Sequence, residues 1–477
     1  MANESSLQQR GINPYLPSWE YVPDAEPHLF DGRVYIYGSH DRFNGHGYCL
    51  NDYVCWSADP GDLTSWQYEG VIYEKTDDPL NPHSRMCLYA PDVTRGPDGR
   101  YYLYYVLDKV SVVSVAVCDS PAGRYSFYGY VHHDDGTLLG EGPDDEPQFD
   151  PGVLTEGTRT YLYTGFCPAD DPSRTGPMVT VLGEDMLTVL EGPNNIAPSK
   201  PYSRGSSFAG HEFFEAPSIR KINGLYYFVY SSVVFHELCY AVSSSPTDGF
   251  EYRGVVISNS DLHINSYKPA EKPMYYGGNN HGGILDLGER KYIFYHRHTN
   301  GTNFSRQACA EPIIMAADGT IEQAEMTSCG LKGEPLPARG EYPAHMACNL
   351  FCKEESVYTG ANAYMDNRFP KITQDECDGD TGKGYVANMM DGAVAGFKYF
   401  EFNGVSRMVI SARGYCRGHF EILTEWDGPV RGTIAVTDFS TAWERYEGTV
   451  GIPDGIHPLY IRFRGSGLAS LLDFAFI

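Results

Sequence analysis

The sequence predicts an all-β protein, a five-bladed β-propeller followed by a β-sandwich of jelly-roll type. Three observations carry that reading. A Gly- or charge-bearing turn leads into a short strand packed with tyrosines five times: Gly32-Arg-Val-Tyr-Ile-Tyr, Gly99-Arg-Tyr-Tyr-Leu-Tyr, Gly157-Thr-Arg-Thr-Tyr-Leu-Tyr, Gly224-Leu-Tyr-Tyr-Phe-Val-Tyr and Gly288-Glu-Arg-Lys-Tyr-Ile-Phe-Tyr. These turns recur about every 60 to 70 residues, enough for one four-stranded blade each. Beyond residue 345 the pattern changes to period-two strands between Gly-rich turns, and helical periodicity is nearly absent throughout.

Within each blade the tyrosine strand is followed by a second apolar run and a Pro/Gly/Asp turn. Examples are Val113-Ser-Val-Ala-Val-Cys before Ser120-Pro-Ala-Gly, and Cys239-Tyr-Ala-Val-Ser before Ser245-Pro-Thr-Asp-Gly. A further strand then returns, as at Tyr68-Glu-Gly-Val-Ile-Tyr and Tyr252-Arg-Gly-Val-Val-Ile. The propeller is assigned to residues 1–331. A proline-rich stretch, 332–345, reads as an ordered linker. The sandwich, 346–477, is read from Arg407-Met-Val-Ile-Ser-Ala-Arg, His419-Phe-Glu-Ile-Leu-Thr-Glu, Thr433-Ile-Ala-Val-Thr, His457-Pro-Leu-Tyr-Ile-Arg-Phe and Leu471-Leu-Asp-Phe-Ala-Phe.

The 477 residues favour two domains. A formal charge of -26 argues against nucleic acid or an anionic membrane as partner and favours a neutral substrate or plain solubility. With 37 tyrosines the chain suits both strands and sugar-stacking surfaces. No apolar run is long enough to span a bilayer, and the first residues lack a signal-peptide core. The 12 cysteines are scattered without a CxxC pair, so we expect reduced core thiols in a cytoplasmic protein, or a secreted one if a leader has been removed.

A polar residue stands in the same phase about seven to nine residues before each turn: Asp24, Asp92, Asp150, Glu215 and His281. A propeller gathers equivalent positions of its blades around its axis, so four carboxylates and an imidazole should meet at one central site. Two carboxylates in different environments can supply both the proton and the activated water that splitting a glycosidic bond requires. The apolar neighbours of Glu215 suit an acid with a raised pKa, and Asp150 could orient it. Taken singly, each of these residues would be read as a turn or capping carboxylate.

Asp24 in Asp-x-x-Pro-His, the stretch Tyr89-Ala-Pro-Asp-Val, Phe149-Asp-Pro, Glu215-Ala-Pro-Ser and Asn280-His-Gly-Gly resemble the inner-strand motifs of glycoside hydrolase family 43. The resemblance covers all five blades in order. It implies an inverting β-xylosidase or α-L-arabinofuranosidase acting on xylo- and arabino-oligosaccharides. Asp24 would be the general base, Glu215 the general acid, and Asp150 the residue that orients the acid and sets its pKa. It further implies a structural calcium ion on the axis at His281, whose competing reading is a packed histidine. Tyr89 stands where the family often has Trp in the sugar-stacking wall. Arg306 resembles a sugar-contacting arginine, with a surface salt bridge as the competing reading, and Asp92 is assigned a structural role.

The C-terminal part, most clearly from Phe397 to Ile477, resembles a family 6 carbohydrate-binding module. That implies a second calcium near Glu354 or Glu355 and Asp473, and stacking candidates in Trp426, Trp443 and Tyr460, which could equally be core. The alternatives to an exo-glycosidase are an endo-arabinanase and a catalytically silent carbohydrate-binding propeller.

Overall fold

The computed structural model describes residues 11–143, 145–264, 268–352, 369–437 and 439–477. Five sheets follow one another along the chain, each an antiparallel meander. Their first strands are Glu26–Phe30, Asp92–Arg95, Gly152–Glu156, Phe213–Ile222 and Ile284–Leu287. The first four sheets have four strands, whereas the fifth has three among the described residues, ending at Arg306–Ile313. Among the described residues no fourth strand completes it. Its edge is covered instead by the chain's beginning: Tyr15 N–H donates to Ala308 O at 3.3 Å, and Asn13 Nδ2 donates to Ala310 O at 3.2 Å. The ring closes where Ala25 bridges Gly282 between the first and fifth sheets.

The tyrosine phrase is the second strand of each blade. Those strands are covered on both faces by neighbouring blades, and all six residues of Tyr101–Val106 are buried. Tyrosine fills such a wedge with apolar area while its hydroxyl still finds an acceptor. Tyr37 Oη donates to Pro121 O at 2.8 Å and Tyr163 Oη to Pro246 O at 2.6 Å, each reaching the third turn of the next blade. The repeat is therefore an inter-blade tie. The glycine before it serves the backbone. Gly32 and Gly224 have φ of 78° and 85° and follow Asp31 and Asn223, themselves at 48° and 51°, the paired left-handed residues of a tight hairpin.

Among the described residues the C-terminal part forms two six-stranded sheets. One centres on Val394–Phe402 and Gly455–Gly467, the other on Arg407–Gly414 and Ala469–Phe476. Their inner faces share one core, with Phe397 against Phe474 at 4.7 Å and Phe400 against Phe476 at 5.1 Å between ring centroids. The stretch read as a linker contributes strands to both: Leu336–Pro337 pairs with Phe400 and Glu401, and Gly340–Pro343 pairs with Asp473 through Phe476.

Candidate active site

Three of the four carboxylates of the ring phase meet at a cavity of about 570 Å³ at the centre of the propeller. Asp24, Asp150, Glu215, His281, Tyr89 and Arg306 all line it. Asp92 does not. It accepts from His28 Nε2 at 2.6 Å and from Val153 N–H at 2.8 Å, tying the first three blades together, as its structural role requires.

The backbone delivers these side chains through irregular conformations. Asp24 and Asp150 stand two residues before their inner strands with φ of 59° and 47°. Glu215 lies inside its strand, not ahead of it, between two register shifts, and is followed by Ala216 at φ 66°. Bulges and left-handed non-glycine residues of this kind re-aim side chains, and they are retained where the surroundings over-determine them.

Arg306 is the electrostatic centre. It is buried, not on the surface as the competing reading had it. Its Nε and Nη2 donate to the two oxygens of Asp41 at 2.8 and 2.9 Å, and its Nη1 donates to Asp24 at 3.0 and 3.2 Å. Burial alone would raise the Asp24 pKa, but Arg306, aided by His296 and His281, outweighs it and holds the carboxyl well below the usual range. His296 adds geometry. Its Nε2 donates to Asn279 O at 2.7 Å, which leaves Nδ1 to accept the Asp24 N–H at 3.3 Å, and burial keeps the ring neutral.

Glu215 and Asp150 shift the other way. Burial raises Glu215 most, followed by the negative charges of Asp150 and Asp24. Asp150 is raised by burial and by Asp24, opposed by His281. One pocket therefore holds an ionised carboxylate at Asp24 and a proton-retaining one at Glu215, the separation that acid–base division of labour needs.

His281 lies beneath this group. Its Nε2 is 3.5 Å from Glu26 Oε1 and its Nδ1 is 3.8 Å from Asp150 Oδ2. Neither ring nitrogen, nor Glu26 Oε1, has a hydrogen-bond partner. Burial would lower its pKa, but Glu26, Asp150 and Asp24 raise it to about 9. The position attracts positive charge.

Tyr89 meets Phe149 edge-on at 5.7 Å in the aromatic wall. Several residues of the site escaped the sequence reading. Asp41, Tyr48 and Cys49 come from a first-blade loop without any repeat phase, and Phe235 and His236 come from the turn after Leu225–Ser232. His236 Nδ1 sits 3.7 Å from Glu215 Oε1, with Phe214 edge-on to its ring at 4.8 Å. Phe214 and His296 had a signal, the first beside Glu215 and the second a polar residue ending a tyrosine strand.

In the C-terminal sheets Tyr460 is buried, Trp426 packs on Phe351 at 4.6 Å, and Arg413 covers Trp443 at 4.1 Å. Tyr460 is thus a core residue. Glu354 and Glu355 lie outside the described residues, and Asp473 is nearly buried. None of the twelve cysteines is in a disulfide. Among the described residues no helix is long and apolar enough to cross a membrane.

A propeller whose hub holds an ionised carboxylate, a proton-retaining one and a buried arginine has the makings of a glycoside hydrolase, and residues 22–321 match the family described as Glycosyl hydrolases family 43. The chain belongs to that family. It is 69% identical over 469 residues to a Xylosidase/arabinosidase of Thermoclostridium stercorarium, covering 98% of this chain and 99% of that one. A crystal structure of a family 43 arabinoxylan arabinofuranohydrolase from Bacillus subtilis in complex with cellotetraose shares the fold over 97% of both chains, with 22% identity and a TM-score of 0.51. A β-xylosidase/α-arabinofuranosidase from a compost microbial metagenome, in complex with xylotriose and in a calcium-free form, is 26% identical with a TM-score of 0.50. It covers 66% of this chain and 97% of its own.

Proposed function

We propose that this enzyme is an inverting, exo-acting glycosidase that releases β-D-xylose and α-L-arabinofuranose units from short hemicellulose-derived oligosaccharides. The observation that carries the reading is the opposite electrostatic state of Asp24 and Glu215 in one pocket. Asp24, ionised beside Arg306, takes the proton of the attacking water. A carboxylate paired this strongly is a weak base, which suffices when the sugar carbon already has oxocarbenium character and proton transfer lags behind bond breaking. Glu215, still protonated at neutral pH, protonates the departing glycosidic oxygen. Asp150 keeps that proton on Glu215 through its charge. Arg306 and Tyr89 hold the sugar, and Arg306 also fixes Asp24.

In this reading a calcium ion would take the place of the ring proton at His281. One deprotonated ring nitrogen and the nearby Glu26 Oε1 would hold it, with water as the remaining ligands. Such an ion supplies positive charge beneath the carboxylates, and the chemistry itself stays with Asp24, Glu215 and Asp150.

The test is hydrolysis of an aryl glycoside panel: β-xyloside, α-arabinofuranoside and β-galactofuranoside. Turnover of the first two identifies the pentoside pocket. Activity confined to internal bonds of arabinan would replace this reading with an endo-arabinanase.

A further inference from the structure

A loop of the C-terminal sheets, between the strands Lys371–Thr373 and Tyr385–Met389, reaches the first-blade loop that flanks the active site. The segment leading into it is docked on the propeller. Asn300 N–H donates to Ile372 O at 2.7 Å, Thr373 Oγ1 to Asn300 Oδ1 at 2.9 Å, and Tyr21 Oη to Gln374 Oε1 at 2.8 Å. At its far end Asp378 spends both carboxylate oxygens on the loop that follows the second strand of the first blade. Oδ1 accepts the Phe43 N–H at 2.6 Å, and Oδ2 accepts Asn51 Nδ2 at 3.1 Å.

That loop holds the pocket's charge in register. Asn51 Nδ2 also donates to Asp41 O at 3.0 Å, so one amide group bridges Asp378 to Asp41. The Asp41 carboxylate takes the Cys49 N–H at 3.0 Å and the double contact from Arg306, and Arg306 in turn holds Asp24. Tyr48 packs under the Arg306 guanidinium at 4.9 Å. The two ends of the loop are pinned by the first blade itself, with Asp41 N–H on Tyr21 O at 2.9 Å and Asn51 N–H on His40 O at 3.0 Å. The Phe43 N–H and the Asn51 amide are taken by the second domain's Asp378.

We infer that Asp378 is a positioning residue for catalysis: it clamps the 41–51 loop, and through Asn51, Asp41 and Arg306 it sets the placement of Asp24 and of the sugar-binding wall. The C-terminal sheets are then part of the catalytic apparatus, whether or not they bind saccharide. This rests on the roles given above to Arg306 and Asp24.

Charge-assisted acceptors of this kind are shorter and stronger than neutral ones. Asp378→Ala should therefore lower kcat/KM for the 4-nitrophenyl β-xyloside and α-arabinofuranoside about tenfold, mostly through KM, because the wall that contacts the sugar loosens while the protein stays folded. Asp378→Asn keeps one acceptor and should fall between, and it carries the test if the alanine variant does not fold. Asn51→Ala should resemble Asp378→Ala, and the double variant should add little to either, as expected for one linked path. Tyr21→Phe removes the docking bond to Gln374 while leaving the Gln374 amide on the Glu376 and Cys377 carbonyls, and should leave KM unchanged. Wild-type KM in Asp378→Ala, a fall in kcat alone that tracks lost folded protein, additive effects in the double variant, or an equal rise in KM for Tyr21→Phe would each overturn the assignment. If Arg306→Ala and Asp24→Asn were also without effect, the functional reading itself, and not only the clamp, would fail.

Discussion

Replacing Glu215 by Gln removes one proton from the pocket and almost nothing else. The side chain keeps its volume and its place between the register shifts of its strand, and Asp24 keeps Arg306. What is lost is the group that burial, Asp150 and Asp24 together hold in the protonated form. General acid catalysis contributes about 10²–10⁴-fold, or about 2.7–5.5 kcal/mol of barrier. That whole factor should fall on xylobiose, whose departing sugar oxygen must be protonated. It should largely spare 4-nitrophenyl β-xyloside, whose phenolate leaves unaided. The assay is kcat/KM on both substrates for wild type, Glu215→Gln and Asp24→Asn. Asp24→Asn should depress both substrates alike, because water must be activated whatever leaves. Equal loss on the two substrates for Glu215→Gln would refute the acid assignment. A leaving-group dependence in Asp24→Asn would show that the two roles are exchanged.

Three further outcomes follow from the same electrostatics. Arg306→Ala leaves Asp24 and Asp41 buried without their shared partner, so it should cost about 3–5 kcal/mol in urea unfolding. In the wild type the depressed Asp24 pKa contributes stability that is present above its unfolded value and lost as pH falls through its folded value. That acid-side loss should shrink in Arg306→Ala, and an unchanged stability–pH curve would contradict the pairing. Asp150→Asn removes the second-largest cause that keeps the proton on Glu215, so the alkaline limb of kcat/KM should move to lower pH by about one unit; no movement would remove Asp150 from its tuning role. Exhaustive chelation should lower melting temperature and activity in part, with calcium restoring both. Full activity and unchanged stability would leave His281 as a buried, protonated histidine.

Much of this architecture is legible in the sequence because the propeller repeats its physical solution. The glycine turns must go left-handed, and the tyrosines must bury area on two faces while reaching a carbonyl in the next blade, so each blade restates the same short phrase. The phase of Asp24, Asp150, Glu215 and His281 follows from that repetition. What the repetition does not govern was not legible. Among the described residues no fourth strand completes the last blade, and its edge is covered by residues 12–16, which resemble no strand. Asp41, Tyr48 and Cys49 lie in a second-to-third strand loop whose sequence does not follow the repeated phrase, and their role appears only once Arg306 is seen to be buried between Asp41 and Asp24. Residues 332–345 look like a linker because of their prolines, yet Leu336–Pro337 and Gly340–Pro343 complete the two C-terminal sheets. Asp378 gave no signal at all, since its partners are more than 300 residues away.

The stereochemistry of the first-formed sugar tests the central claim most directly. Asp24 and Glu215 stand on different blades, and the proposed roles of base and acid on opposite sides of the scissile bond require room for a water, a carboxyl separation of about 6.5–9.5 Å. Proton NMR during hydrolysis of a β-xyloside should show α-xylose first, with the β anomer growing in only by mutarotation. β-Xylose appearing first would mean a covalent intermediate and would contradict the account.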